Sequence, residues 1–367
     1  MTPPSRPQPQ PGILRIAPYV PGKSQAAPGV EAVKLSANES PLGTSPAALT
    51  ALAEANARPD IYPEGTSKAL REALGEVHGL DPGRIVCGNG SDDLLHLLAQ
   101  CYLGEGDEAV MSRHAFNVYP IITMGASAEV VMTPEKDYRA DVDALLGAVT
   151  DRTRVLFLAN PNNPTGTYLS VSEVERLHRG LRPDILFVLD GAYAEYVTAD
   201  DYDVGVSLVN AADNAVMVRT FSKIGLAASR VGWMYAPTHV VDTVNRIRGP
   251  FNVNRAAQLA GAAAARDHAF TAQLCAYNAQ WRDWLTRALD GNAIRIVPSQ
   301  ANFVLALFED KNMAAAAFKA LWEQGLIVRE IGVYGIDNGL RISIGPEAAM
   351  RQLVEVLKSF GAPGAPS

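Results

Sequence analysis

The sequence predicts an α/β protein with a large, mostly parallel sheet domain and a smaller α/β domain after it, and three observations carry that reading. First, VLFLAN (155–160), ILFVLD (185–190) and AVMVRTF (215–221) are short, continuously apolar and flanked by polar or turn residues. Strands buried on both faces look like this, because neither face needs polar side chains. Second, helical patterns such as SVSEVERLHRG (170–180) lie between these runs, and such alternation calls for parallel strands joined by crossover helices. Third, the pattern changes near residue 270. Leu274, Tyr277, Trp281, Trp284, Leu285 and Ala288 then recur at helical spacing and mark a long amphipathic helix.

The elements follow in order. RIVCGNG (84–90) reads as a strand and glycine turn, and SDDLLHLLAQCYL (91–103) as the helix it opens, with Leu94, Leu95, Leu98 and Cys101 on one face. Beyond the long helix, IRIVPSQANFVLALF (294–308) and LIVREI (326–331) read as strands. NMAAAAFKALWEQG (312–325) and PEAAMRQLVEVLKSF (346–360) read as helices, the second with Pro346 at its N-terminal end. The expected division is an arm, 1–42, contributing to the small domain, a large domain, 43–270, and a small C-terminal domain, 271–367.

Composition narrows the function classes. Hydrophobic residues make up 48% and charged residues 19%, an ordinary globular mix. A net charge of −7 offers no electrostatic footprint for nucleic acid or an anionic membrane, so an anionic ligand needs a local group of arginines or helix N-termini. Cys87, Cys101 and Cys275 are far apart, without a CxxC pair, and read as buried reduced thiols rather than a metal or disulfide framework. The proline-rich start lacks the apolar stretch of a secretory signal, and no apolar run is long enough to span a membrane. The expectation is a cytoplasmic protein without metal, nucleic-acid or membrane partners.

Four segments stand at the carboxyl ends of strands, where open α/β sheets gather their functional residues. In CGNGSDD (87–93), Gly88 and Gly90 permit a tight turn, and Ser91 and Asp92 sit at the free N–H groups of a helix start. That is a phosphate cradle or a simply capped helix. In NPNNPTG (160–166), Asn163 either belongs to an ordinary turn cluster or projects its amide into a cleft. Asp190 closes the apolar run ILFVL; it is a turn former, or a poorly solvated carboxylate that meets a cation, with Tyr193 three residues on. Lys223, after Ser222 and before Arg230, is a solvated lysine, or one held in a dry cleft whose lowered pKa makes it a nucleophile.

Taken together, the glycine turn with Ser-Asp, N-P-T-G, D-x-A-Y, and S-K with a downstream arginine resemble the fold-type-I pyridoxal-phosphate aminotransferases over nearly the whole chain. The resemblance implies that cofactor, carried on Lys223, which would also move the substrate proton. It implies Asp190 on the pyridine nitrogen, and Tyr193 and Asn163 on the phenolic oxygen. Phe116, in RHAFNVY, would stack on the ring if it is not core. Gly90, Ser91, Asp92, Ser222 and Arg230 would hold the phosphate. One departure is that Lys223 and Arg230 stand one residue closer than the family spacing. Another is Gly191, where many relatives have glutamate.

Within that superfamily the sequence resembles the histidinol-phosphate aminotransferases, through PYVPGK with Tyr19, LSANESPLG with Asn38 and Glu39, YPEG with Tyr62, NRIRGPFNVN (245–254), SQANF with Asn302, VRE with Arg329 and LRISIG with Arg341. The resemblance implies amino transfer between L-histidinol phosphate and 2-oxoglutarate, giving imidazole-acetol phosphate and glutamate. Tyr19, Asn38, Asn163, Arg329 and Arg341 would meet the substrate. It also implies a homodimer with shared sites, in which Tyr62 reaches the partner's cofactor phosphate. An aromatic amino-acid aminotransferase of the same fold is the alternative, since its carboxylate substrate needs only Arg341. A threonine-phosphate decarboxylase relative is a further one. A cofactor-binding regulator would need a DNA-binding module that the short proline-rich start does not supply. A nucleotide-dependent oxidoreductase would need a third glycine where Asp93 stands.

Overall fold

The computed structural model of the chain describes residues 7–18, 25, 27, 29–289 and 294–360. Its centre is a seven-stranded sheet formed by β1 (Ile85–Gly88), β2 (Glu108–Ser112), β3 (Glu129–Thr133), β4 (Thr153–Ala159), β5 (Leu186–Asp190), β6 (Ala215–Thr220) and β7 (Gly232–Tyr235). The strand order is β1-β7-β6-β5-β4-β2-β3. Six strands run one way; only β7 is antiparallel, to both β1 and β6. β1, β2, β5, β6 and β7 are buried at every position, as continuous apolar runs require when helices cover both faces. One face packs Leu156, Leu158, Phe187, Leu189 and Met217, and the other packs Val155, Phe157, Val188, Val216 and Val218. This is the period-two alternation of a strand with two dry faces.

The crossover helices begin where the sequence supplies starts. Helix α1 (Ser91–Tyr102) opens on Gly90, whose φ of 85° places it in the left-handed region. Helix α2 (Val118–Gly125) follows β2, and α3 (Val171–Arg179) is closed at its N-terminus by a capping box between Ser170 and Glu173.

A second sheet holds β8 (Arg295–Val297), β9 (Phe303–Leu307), β10 (Arg329–Glu330) and β11 (Gly339–Ser343), antiparallel in the order β8-β9-β11-β10. The long helix α4 (His268–Leu289) leads to it, starting a little before the segment singled out from the sequence. Helices α5 (Lys311–Glu323) and α6 (Glu347–Lys358) pack on it, and Pro346 caps α6. Two expectations are revised here. LIVREI is not one strand: Leu326–Ile327 pairs in parallel with Val33–Lys34 of the N-terminal arm, whereas Arg329–Glu330 pairs with β11. The chain changes partner at Val328, which the sequence pattern does not reveal. Cys87 is buried, but Cys101 and Cys275 are only partly so; all three thiols are free.

Phe187 is fully buried in the central strand β5, so its loss would leave a cavity beneath the residues at that strand's end. Phe187→Ala should destabilise the protein by about 3–5 kcal/mol, seen as a lowered midpoint in denaturant. An unchanged midpoint would show that the sheet core relaxes around the gap.

Candidate active site

The carboxyl ends of β1, β2, β4, β5 and β6 lie along one edge of the large sheet, and the small sheet and the N-terminal arm face that edge across a cavity of about 440 Å³. Ser91, Asp92, Phe116, Asn163, Asp190, Tyr193, Ser222, Lys223, Arg230, Arg329 and Arg341 all line it. Those from Ser91 to Lys223 converge because parallel strands deliver every turn of one kind to the same edge, and Arg329 and Arg341 join them from the small antiparallel sheet.

Asp190 is the last residue of β5, paired laterally with Ala159 and Val218, and 3% exposed. Burial pushes its carboxyl up to about 6, against the hydrogen bonds that it accepts: Tyr119 Oη donates to Oδ2 at 2.8 Å and the Ala192 N–H donates to Oδ1 at 3.1 Å. Lys223 follows β6 on an irregular turn, Ser222–Leu226. Burial, and then the neighbouring Arg341 guanidinium, bring its amine down to about 8. Both shifts favour neutral groups in a poorly solvated compartment.

The turn that carries Lys223 also absorbs the short spacing to Arg230. One residue fewer would rotate a helical position by about 100°. Instead Gly225 takes φ 99° and Arg230 itself takes φ 52°. A Cβ on Gly225 would lie 2.4 Å from the Gly43 carbonyl oxygen, so the turn needs glycine for space as well as for conformation. Tyr196 Oη donates to the Lys223 carbonyl at 2.5 Å and Thr44 Oγ1 to the Gly225 carbonyl at 2.6 Å, which anchors the turn at both ends. Arg230 is thereby kept in the cavity, with Nη1 donating to Ser222 Oγ at 3.2 Å and Nη2 3.5 Å from Asp92 Oδ2. A Cβ on Gly90 would come within 2.5 Å of Arg230 Nη2, so that glycine makes room for the guanidinium. The N-terminus of α1, Ser91, Ser222 and Arg230 thus form an anion cradle at one end of the cavity, with Asp190 buried elsewhere in its wall.

The small sheet supplies the other cations. Arg341, only 7% exposed, donates through Nη1 to Asn163 Oδ1 at 2.5 Å and through Nη2 to the Ser36 carbonyl at 2.6 Å; among the described residues its Nε has no partner. Arg329 is its direct neighbour across the antiparallel β10–β11 pair. Tyr193, whose phenol burial pushes up to about 12, accepts a hydrogen bond from Asn38 Nδ2 at 2.9 Å.

Of the other residues expected at the site, Asn38 and Tyr62 are described and Tyr19 is not. Asn38 lines the cavity, but its amide is already engaged: Nδ2 bonds Tyr193 and Oδ1 accepts from Ser343 Oγ at 2.8 Å. Its backbone, at φ 56°, is held by Ser343 and Asn302. Tyr62 is not on this cavity; it is 77% exposed and stacked on Phe251 at 4.8 Å. Tyr19 lies outside the described residues. Sequence reasoning missed Tyr119, Ser36, Lys34 and Tyr334. The spacing from Phe116 to Tyr119, three residues at a helix start, was the available signal for the first; the rest become visible only when the arm and the small sheet close the cavity.

The aminotransferase class I and II family model matches residues 30–357, and the chain belongs to that family. It is 51% identical to the histidinol-phosphate aminotransferase of Nitrobacter hamburgensis over 97% of this chain and 99% of that protein. It is also 51% identical to the Rhodospirillum rubrum protein of the same name, over 96% and 97%. Among solved structures, the Sinorhizobium meliloti histidinol-phosphate aminotransferase in complex with pyridoxal-5'-phosphate superposes with a TM-score of 0.89 at 28% identity, covering 96% of each chain. Within its family, the chain groups with the histidinol-phosphate aminotransferases.

An amine that is half neutral near pH 8 should be the first lysine to condense with an aldehyde. Treating the protein with a small aromatic aldehyde and borohydride at pH 8, then mapping peptides, should place the label on Lys223. Equal labelling of the exposed Lys68 and Lys319 would contradict a lowered pKa.

Proposed function

We propose that this enzyme transfers an amino group between L-histidinol phosphate and 2-oxoglutarate, with pyridoxal phosphate as its cofactor. The donor set fits that cofactor at both ends: the cradle of Ser91, Ser222 and Arg230 suits its phosphate, and the buried Asp190 carboxylate suits a protonated ring nitrogen. Bound there, pyridoxal phosphate supplies the carbonyl carbon that takes the amino group and a ring that acts as an electron sink. Lys223 would hold that carbonyl carbon covalently and, once displaced by the substrate amine, take the proton from the substrate Cα. Tyr193 and Asn163 would hold the phenolic oxygen, and Phe116 would cover a ring face.

The observation that carries the substrate reading is the pair Arg329 and Arg341, directly opposite on antiparallel strands and both on the cavity. Like charges so placed destabilise a sheet pair. A phosphate of nearly two charges and three oxygens can engage both guanidinium groups of such a pair. A single carboxylate needs only Arg341, which reserves Arg329 for the phosphate substrate. Arg329→Ala should therefore weaken kcat/KM for histidinol phosphate by about 2–4 kcal/mol while changing glutamate far less, whereas Arg341→Ala should harm both. Steady-state kinetics with each donor, alongside phenylalanine, tyrosine and threonine phosphate, checks this. Equal losses for both donors in Arg329→Ala would favour an aromatic amino-acid substrate.

We also read the enzyme as a cytoplasmic homodimer with two domains, 43–270 and 271–367, the latter joined by the arm. The two sheets fall on either side of residue 270, and Val33–Lys34 pairs beside the second. Among the described residues no helix is long and apolar enough to cross a membrane. Ile61, Tyr62, Ile247 and Phe251 are large hydrophobic groups left exposed, which supports their burial against a second copy. Sedimentation should give a dimer, and Tyr62→Phe should release the cofactor more readily. An active monomer at low concentration would contradict shared sites.

A further inference from the structure

Tyr119 belongs to neither of the groups just described, yet its hydroxyl is bonded to the carboxylate on which they depend. We propose that Tyr119 is the positioning residue for Asp190, aiming its carboxylate at the ring nitrogen of the bound cofactor and holding it in the charged form; this rests on the pyridoxal-phosphate reading of the site.

The geometry is specific. Asp190 accepts from two donors, one on each oxygen: the Ala192 N–H on Oδ1 from its own loop and the Tyr119 hydroxyl on Oδ2 from α2. Two donors on different oxygens fix the plane of a carboxylate, where one would let it swing. Each oxygen keeps a second lone pair, so the carboxylate can still accept from a ring N–H. Tyr119 cannot swing either. It is fully buried, its ring stacks on Phe157 at 4.9 Å and 11°, and its carbonyl accepts from Thr123 Oγ1 at 2.8 Å. Phe116, three residues earlier, meets its edge at 5.8 Å and lines the cavity. One helix start therefore sets both an aromatic wall of the cavity and the carboxylate below it.

The electrostatics agree. A carboxyl buried as deeply as Asp190 moves toward neutrality, and a neutral acid does not hold a ring nitrogen protonated. The charged groups facing it are Asp92 from α1, which raises it further, and Lys223 after β6, which lowers it. The phenols of Tyr193 and Tyr202 are held neutral by burial. After burial itself, the Tyr119 hydrogen bond is the largest influence, and it opposes neutrality. Tyr119's own acidity is suppressed by burial and by Asp190, so it stays a donor across the working pH range.

The test is Tyr119→Phe in the full-length enzyme, which removes one oxygen and keeps the ring. The cofactor-free variant should bind pyridoxal phosphate roughly tenfold more weakly, about one unit of carboxyl pKa. The acid limb of its kcat/KM profile should move up by about one pH unit. Binding of 1-deaza-pyridoxal phosphate, which has carbon in place of the ring nitrogen, should be unchanged, since there is nothing for Asp190 to hold. A merely structural role would weaken both ligands alike, and that result, or equal affinity of variant and wild type for pyridoxal phosphate, overturns the assignment. Should the variant not fold, 3-fluorotyrosine at position 119 keeps the ring and makes the hydroxyl a stronger donor. The acid limb should then move down, and an unmoved limb is equally contrary. Failure of the parent reading is separate: wild type would not bind pyridoxal phosphate, or Asp190→Asn would bind and turn over normally.

Discussion

A polar seam centred on Asn38 holds two sheets of different construction around one cavity. Its backbone N–H donates to Ser343 on the small sheet, its amide donates to Tyr193 beyond the end of β5, and its carbonyl accepts from Asn302. Arg341 adds a second crossing, from β11 to Asn163 and to the arm at Ser36. These groups are buried, so each unmade bond would leave a desolvated donor or acceptor at a cost of about 1–3 kcal/mol. The seam bonds therefore tie the arm and the two sheets together around the cavity, with Arg341 Nε and Asn302 Oδ1 left without partners among the described residues.

The same enclosure sets the chemistry. Burial raises the Asp190 carboxyl, lowers the Lys223 amine and raises the Tyr193 phenol, three shifts with one cause. Each then has named partners that oppose or add to burial: Tyr119 for Asp190, Arg341 for Lys223, and Arg341 followed by Asn38 for Tyr193. In the cavity wall the buried Asp190 is distinct from the cradle of Ser91, Ser222 and Arg230, where Asp92 also stands beside the guanidinium.

The turn after Lys223 shows how a sequence change is absorbed without losing a contact. A shorter segment would normally turn Arg230 away. Two left-handed residues, Gly225 and Arg230, redirect the backbone instead, and the guanidinium returns to Ser222. A left-handed arginine is uncommon, and here its Nη1 donates to Ser222 Oγ and to the Ala227 carbonyl, each at 3.2 Å.

Sequence by itself determined four of the seven strands of the large sheet and many of the residues that line the cavity. Runs such as ILFVLD are legible because a strand buried on both faces must be apolar throughout, and Asp190, Lys223, Ser91 and Asn163 are legible because parallel strands end in functional turns. The strands EAVMS and EVVMT and the reversed strand GWMY carry no comparable signal: each is short, and strand direction is a property of its neighbours. Tertiary structure alone decided that Arg329 and Arg341 stand opposite one another, that Asn38 serves Tyr193, and that the Tyr119 hydroxyl meets Asp190 across 71 residues. Periodicity along a chain reports which face of an element is dry. It does not report which element lies across that face, because that is chosen by packing and by the pairing of buried polar groups over long separations.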